Sequence, residues 1–262
     1  MLSPGTRPVG YDLHGAGSPV VLLHPFPFDR RIWATLTDAL ARRHRVIAVD
    51  GRGFGETPLG DDNTIAEQAD DLAALLDHLD VPRAAVLGMS MGGYTALAFA
   101  ARHPARLAAL VLCDTRAGAD DVKTKAARDE IIARLRAFGS GPYLDGSLAR
   151  LLSPKAPPAR VAFLRARAET RVGSLIAGSE ALRDRPDRSG ELGAIRCPTL
   201  ALRGTDDQVV PADDMQAMAA AIPGATFMAI PEAGHLAHVD APAAFERALT
   251  PFLAAVLKGV SS

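Results

Sequence analysis

Gly88-Met89-Ser90-Met91-Gly92 stands between an apolar run, Ala84-Ala85-Val86-Leu87, and a longer one, Tyr94-Thr95-Ala96-Leu97-Ala98-Phe99-Ala100. The first run is the length of a buried strand. The second is apolar all round and stops before Pro104, as a buried helix would. The five residues between them fit G-x-S-x-G at a strand-to-helix bend. A serine on so tight a bend needs small neighbours two residues away on either side, because their backbones crowd it. The bend lifts the hydroxyl off the sheet and sets it at the positive end of a helix. Gly93, next in line, lets that helix pack closely.

Outward from this bend, short apolar runs alternate with longer helical patterns, the signature of parallel βα units. Strands are predicted at Val20–His24, Arg45–Asp50, Ala84–Gly88, Leu107–Asp114, Pro198–Gly204 and Ala225–Ile230, with an antiparallel strand at Val9–His14. Most are apolar throughout, as strands covered on both faces must be. Thr64 with Glu67 forms a capping box. It opens a helix whose Ile65, Ala69, Leu72, Leu76 and Leu79 share one face. Pro251 should kink or split the last helix.

Between Arg116 and Gly193 no strand is predicted, and charges crowd in: 15 Lys/Arg against 10 Asp/Glu. The stretch is too long for a plain loop. It reads as a helical cap inserted into an α/β core formed by residues 1–115 and 194–262. Its positive surplus reads first as a solvated basic face.

The elbow, with strand before and helix after, resembles the α/β-hydrolase superfamily over nearly the whole chain. The SMGG(Y) sequence is most similar to the small bacterial esterases, enol-lactone hydrolases and cofactor-free haloperoxidases. The resemblance implies an α/β fold with a mostly parallel sheet, helices on both faces and a cap. It also implies that Ser90 is a nucleophile.

In that fold the chain order is nucleophile, acid, base. The base is expected in Glu232-Ala233-Gly234-His235-Leu236-Ala237-His238, where Gly234 frees the loop to turn His235 toward the elbow. His238 is expected to be a surface or packing residue. The acid is expected in Gly204-Thr205-Asp206-Asp207-Gln208-Val209-Val210-Pro211. The family's G-x-x-D-x-x-x-P register selects Asp207 and leaves Asp206 facing solvent or serving its own turn. Asp114, at a strand end, is the remaining candidate, and is read instead as a cap on the turn that follows it.

His24-Pro25-Phe26-Pro27 resembles the family's H-G-x-P segment, which supplies a backbone N–H to an oxyanion. Pro25 replaces the glycine and has no N–H. The resemblance places the donor at Phe26, paired with the amide of Met91. Phe26 and Phe28 either line a pocket or belong to the core. Asp50-Gly51-Arg52-Gly53-Phe54-Gly55-Glu56-Thr57 resembles the family's D-x-R-G-x-G-x-S turn, tied down by Asp50 and Arg52. It lacks a Walker lysine and dinucleotide spacing, so phosphate binding is excluded.

Composition narrows the function further. The chain has 262 residues, 48% of them hydrophobic, and a formal net charge of -1, with no bias toward nucleic acid or an anionic membrane. No apolar run reaches bilayer length and no leader is recognised, so a cytoplasmic protein is expected. Cys113 and Cys197, each placed in an apolar strand-like run, read as reduced thiols. No cofactor or metal signature occurs. The expected activity is hydrolysis of a small carboxylic ester through a Ser90 acyl-enzyme with His235 and Asp207. The alternatives are a lactone or carbon–carbon substrate, or perhydrolysis, on the same residues. A ligand receptor on the same fold is the contrasting class. The partner is a small ester or lactone. Its identity is not legible in the sequence, and homo-oligomerisation stays open.

Overall fold

The computed structural model describes residues 8–258. Its strands are β1 (Tyr11–His14), β2 (Pro19–Leu23), β3 (Arg45–Val49), β4 (Ala84–Met89), β5 (Leu107–Cys113), β6 (Thr199–Gly204) and β7 (Thr226–Ile230). They form one sheet in the order β1-β3-β2-β4-β5-β6-β7. Only β1 runs antiparallel, pairing Tyr11 with Val49; the other pairs are parallel. The winding reverses where β2 lies between β3 and β4. In open α/β sheets such a reversal opens a crevice at the strands' carboxyl ends.

Alternate residues of the central strands feed two cores, one on each face. Val21, Leu23, Ile47, Val86 and Leu112 meet α2 (Ile65–His78), α3 (Met91–Arg102) and α8 (Ala212–Ala221). Val20, Leu22, Ala48, Leu87 and Val111 meet α1 (Ala34–Leu40) and α10 (Pro242–Val256). The period-two side-chain alternation of a strand thus serves two apolar layers at once. The capping box is formed: the Glu67 amide donates to Thr64 Oγ1, and the Thr64 amide to the Glu67 carboxylate.

Between β5 and β6 lie α4 (Val122–Phe138), α5 (Ser140–Ser147), α6 (Pro158–Arg165) and α7 (Val172–Asp184), with no strand among them. Much of this segment's positive charge is met internally. Arg116, Arg128 and Arg185 all pair with the buried Asp120, and Arg183 pairs with Asp129. Among the described residues, no helix is long and apolar enough to cross a membrane.

Two local expectations are corrected. Of the kink or split expected at Pro251, the split does not occur: α10 runs through Pro251. Its buried face (Phe245, Ala248, Leu249, Leu253) packs on the sheet and offsets the hydrogen bond that proline removes. Cys197 precedes β6 rather than lying in it and is half-buried; Cys113 is in β5 and fully buried; both are free thiols.

His238, in the short helix α9 (Ala237–Asp240), is a packing residue. Its ring stacks 4.3 Å from Trp33 and meets the edge of Phe245. Burial pushes its imidazole down from 6.5 to about 3, so the folded state holds it neutral. That contribution is complete above pH 6.5 and drains away as pH falls toward 3, because the unfolded chain takes the proton first. Fully expressed, it amounts to on the order of 5 kcal/mol. We expect His238→Phe to narrow the gap in unfolding free energy between pH 7 and pH 4.5. Denaturant titrations that show the same gap for both proteins would refute this.

Candidate active site

Ser90 sits between β4 and α3 at φ 51°, ψ −112°, a left-handed conformation rare for a side chain with a Cβ. Three contacts fix it there. Its amide donates to the Cys113 carbonyl at 2.9 Å, Thr115 Oγ1 donates to its carbonyl at 2.9 Å, and the Gly93 amide closes the turn onto the same carbonyl. The flanking glycines are obligatory by space. A Cβ at Gly88 would overlap the Gly92 carbonyl, and one at Gly92 would overlap the Leu23 carbonyl at the end of β2. Met91 follows as the first residue of α3, where helical amides have no partner within the helix.

The loop after β2 begins with buried His24, whose two ring nitrogens bind different groups. Nε2 accepts from the Gly51 amide at 2.9 Å, which leaves Nδ1 to donate to the Pro25 carbonyl at 3.1 Å. Burial lowers the imidazole's pKa, in keeping with that neutral tautomer. His24 thereby ties this loop to the glycine-rich turn after β3. Asp50 secures that turn by accepting the amides of Arg30 and Glu56 and pairing with the Arg30 guanidinium, while Arg52 binds Asp71 bidentately. Phe28 belongs to the core. Phe26 is half-buried, its ring edge-on to Phe54 and tilted on Tyr143 of α5.

Asp207 and His235 come from the loops after β6 and β7, on the same carboxyl edge as the Ser90 bend. His235 Nδ1 and Asp207 Oδ2 are 3.0 Å apart, and both residues are buried. Asp207 Oδ1 also accepts the amides of Val209 and Val210. Burial pushes the Asp207 carboxyl up. The hydrogen bond and charge of His235, with those two amides, outweigh it and hold the group below the usual carboxylate range. The Nδ1 contact fixes the orientation of the His235 ring against Asp207.

The neighbouring carboxylates depart from their expected places. Asp206 is half-buried, and it accepts from Ser153 Oγ at 2.6 Å instead of facing water or serving only its own turn. Asp114 does not cap the turn after it; its Oδ1 accepts the Gly204 amide of β6 at 2.8 Å.

Asp240 is a residue that pattern reading missed. Its buried Oδ2 accepts the amide of Gly234, next to His235, at 2.8 Å, and the amide of Ser153 at 2.7 Å. Arg160 reaches its other oxygen at 3.3 Å. The Leu236 amide donates to the Leu151 carbonyl. The inserted segment therefore grips the histidine loop from behind. The same segment holds the β2 and β3 loops: the Glu169 amide donates to the Pro27 carbonyl, and Arg171 donates to the carbonyls of Gly53 and Gly55.

Comparison with known proteins fits this geometry. Residues 18–242 match the alpha/beta hydrolase fold family. A relative in Variovorax paradoxus (strain S110), RutD, named for carbamate hydrolysis, is 31% identical over 95% of this chain and 97% of its own length. Among solved structures, a thermophilic esterase from Thermogutta terrifontis superposes with a TM-score of 0.92 at 36% identity, covering 97% of this chain and 96% of that one. The enol-lactonase from Burkholderia xenovorans LB400 superposes at 0.87 with 27% identity, covering 94% and 96%.

Removing Asp240 strands two buried amides and the Arg160 charge. We expect Asp240→Ala to lower the unfolding free energy by about 3 kcal/mol, against less than about 1 for Arg160→Ala at the half-exposed end of the pair. Hydrogen exchange of the Ser153 and Gly234 amides should accelerate only in the Asp240 variant. Unchanged protection at those two amides would disprove the anchoring role.

Proposed function

This chain belongs to the alpha/beta hydrolase fold family, and on that premise we propose that it is a serine hydrolase cleaving a small carboxylic ester through an acyl-enzyme. The observation that carries the proposal is the buried His235–Asp207 pair on the sheet edge where a strained bend presents Ser90. A bare G-x-S-x-G would not suffice.

In this reading His235 Nε2 takes the Ser90 proton as Oγ attacks the ester carbonyl, and Asp207 stabilises the imidazolium that results. The tetrahedral oxyanion is held by the amides of Met91, unpaired within its helix, and Phe26, presented by the anchored β2 loop. Collapse passes the proton to the departing alcohol and leaves the acyl group on Ser90. Water, deprotonated by His235, then releases the acid and restores the serine. Residues 116–193 act as a lid: Tyr143, on Phe26, is one of the side chains through which they would select substrates. Resident metal or cofactor chemistry has no part in the scheme.

A lactone is the second reading, supported by the likeness to an enol-lactonase. Ring opening uses the same attack and the same oxyanion contacts, with the alcohol kept on the product. The carbamate-named relative adds a third leaving group to the comparison.

Fluorophosphonate should add one adduct to wild type and none to Ser90→Ala by intact mass spectrometry; an adduct on the alanine variant would sink the reading. Asp207→Asn should cost on the order of 10⁴-fold in turnover, because an uncharged partner leaves the imidazole in the wrong tautomer, whereas Asp206→Asn should stay within about tenfold. Matched esters, lactones and carbamates of graded acyl length, assayed on wild type, rank the substrate classes directly.

A further inference from the structure

Asp114 stands at the end of β5, fully buried and in a left-handed conformation (φ 44°). Its own amide donates to the Leu202 carbonyl, and its Oδ1 accepts the Gly204 amide, so the side chain has one orientation. Oδ2 is buried without a hydrogen-bond partner. An oxygen of Asp114, an oxygen of Asp207 and a ring nitrogen of His235 all lie within 4.8 Å of one another. Strain of this kind in a non-glycine residue persists only where its surroundings over-determine it, and it collects at working sites.

The charged groups around Asp114 leave it one comfortable state. Asp207 faces it with a carboxylate, and His235 is already committed to Asp207. Arg203 of β6 spends its guanidinium on the carbonyls of Gly204, Asp207 and Val210. The adjacent Cys113 thiol is buried and pushed up, so it remains uncharged. An ionised Asp114 would set a second negative charge against Asp207 with no donor for Oδ2, a costly arrangement in a dry interior. A carboxylic acid supplies what is missing: its O–H needs an acceptor, and Asp207 has lone pairs beyond those it already uses. Burial, followed by the charge of Asp207, raises the Asp114 carboxyl well above its ordinary range, in agreement with this geometry.

We propose that Asp114 is held as the neutral carboxylic acid and donates a hydrogen bond through Oδ2 to the Asp207 carboxylate. It is a positioning residue. It touches no substrate, and it fixes the carboxylate that orients His235 and keeps that carboxylate the weaker base of two adjacent acids. The dyad carries one proton, which stays on Asp114 throughout turnover. The inference deepens the proposed function, since it assumes that Asp207 serves His235.

The direct test is infrared spectroscopy of wild type and Asp114→Asn near neutral pH, read at the carbonyl stretch of a protonated carboxylic acid. Wild type should show the band and Asp114→Asn should lack it. Absence of the band from wild type overturns the proposal. Activity gives the second readout. Asparagine keeps both a donor toward Asp207 and an acceptor for Gly204, so Asp114→Asn should retain turnover within about threefold. Asp114→Leu should lose about 10- to 100-fold, and its acid limb in kcat/KM should move to higher pH as Asp207 becomes more basic and raises His235. Near wild-type activity in Asp207→Asn would overturn the proposal, because Asp114 would then be a substitute acid. Failure of fluorophosphonate to label Ser90 in a protein that still shows the acid band would fault the serine-hydrolase reading alone.

Discussion

The architecture turns on a backbone that has been bent where it would rather not bend. Holding Ser90 at positive φ costs of the order of 1–3 kcal/mol, and a lone strand–helix junction would relax. It cannot relax here because its carbonyl and amide are bonded to Thr115 and Cys113 on β5 and its exit, while Gly92 lies flush against Leu23 on β2. The two strands flanking β4 therefore define the position of the serine. The bend exists only inside an assembled sheet, and this makes the parallel core a precondition of the chemistry rather than a platform for it.

The helical segment between β5 and β6 is tied to the loops at the carboxyl edge of the sheet. Through Asp240, Ser153 and the Leu151 carbonyl it braces the histidine loop, and through Glu169 and Arg171 it braces the loops after β2 and β3. A change of sequence in this segment can therefore shift the loops that carry His235, Pro27 and Gly53. Asp206 shows the same logic at small scale: a carboxylate one residue from Asp207 is engaged by Ser153 and so is kept away from His235.

What sequence reading recovered was set by locality. The elbow, the capping box of α2 and the parallel strands are written in neighbouring residues, and each was legible. The pairing of His235 with Asp207 rather than Asp206 came from the resemblance, whose glycine-to-proline register around the turn selects the second aspartate. The contacts that escaped notice join distant positions: Ser153 to Asp206 and Asp240, and Gly204 to Asp114, across intervals of 53, 87 and 90 residues. An aspartate at a strand end looks the same in sequence whether it caps its own turn or serves the next strand. At Pro251 the expected split does not occur, since the apolar face of α10 keeps the helix whole.

The insertion also divides the site in time. β1 to β5 carry the serine bend and the β2 loop, and they emerge from synthesis before residues 114–198, whereas Asp207 and His235 arrive only after β6 and β7. Docking β6 onto β5 must close that long interval. The entropy of closure grows only logarithmically, so the added cost over the short β4–β5 connection is about 1.4 kcal/mol. A nascent chain can thus carry a formed Ser90 bend while Asp207 and His235 are still missing, and the three residues share one sheet edge only when the last strand has docked.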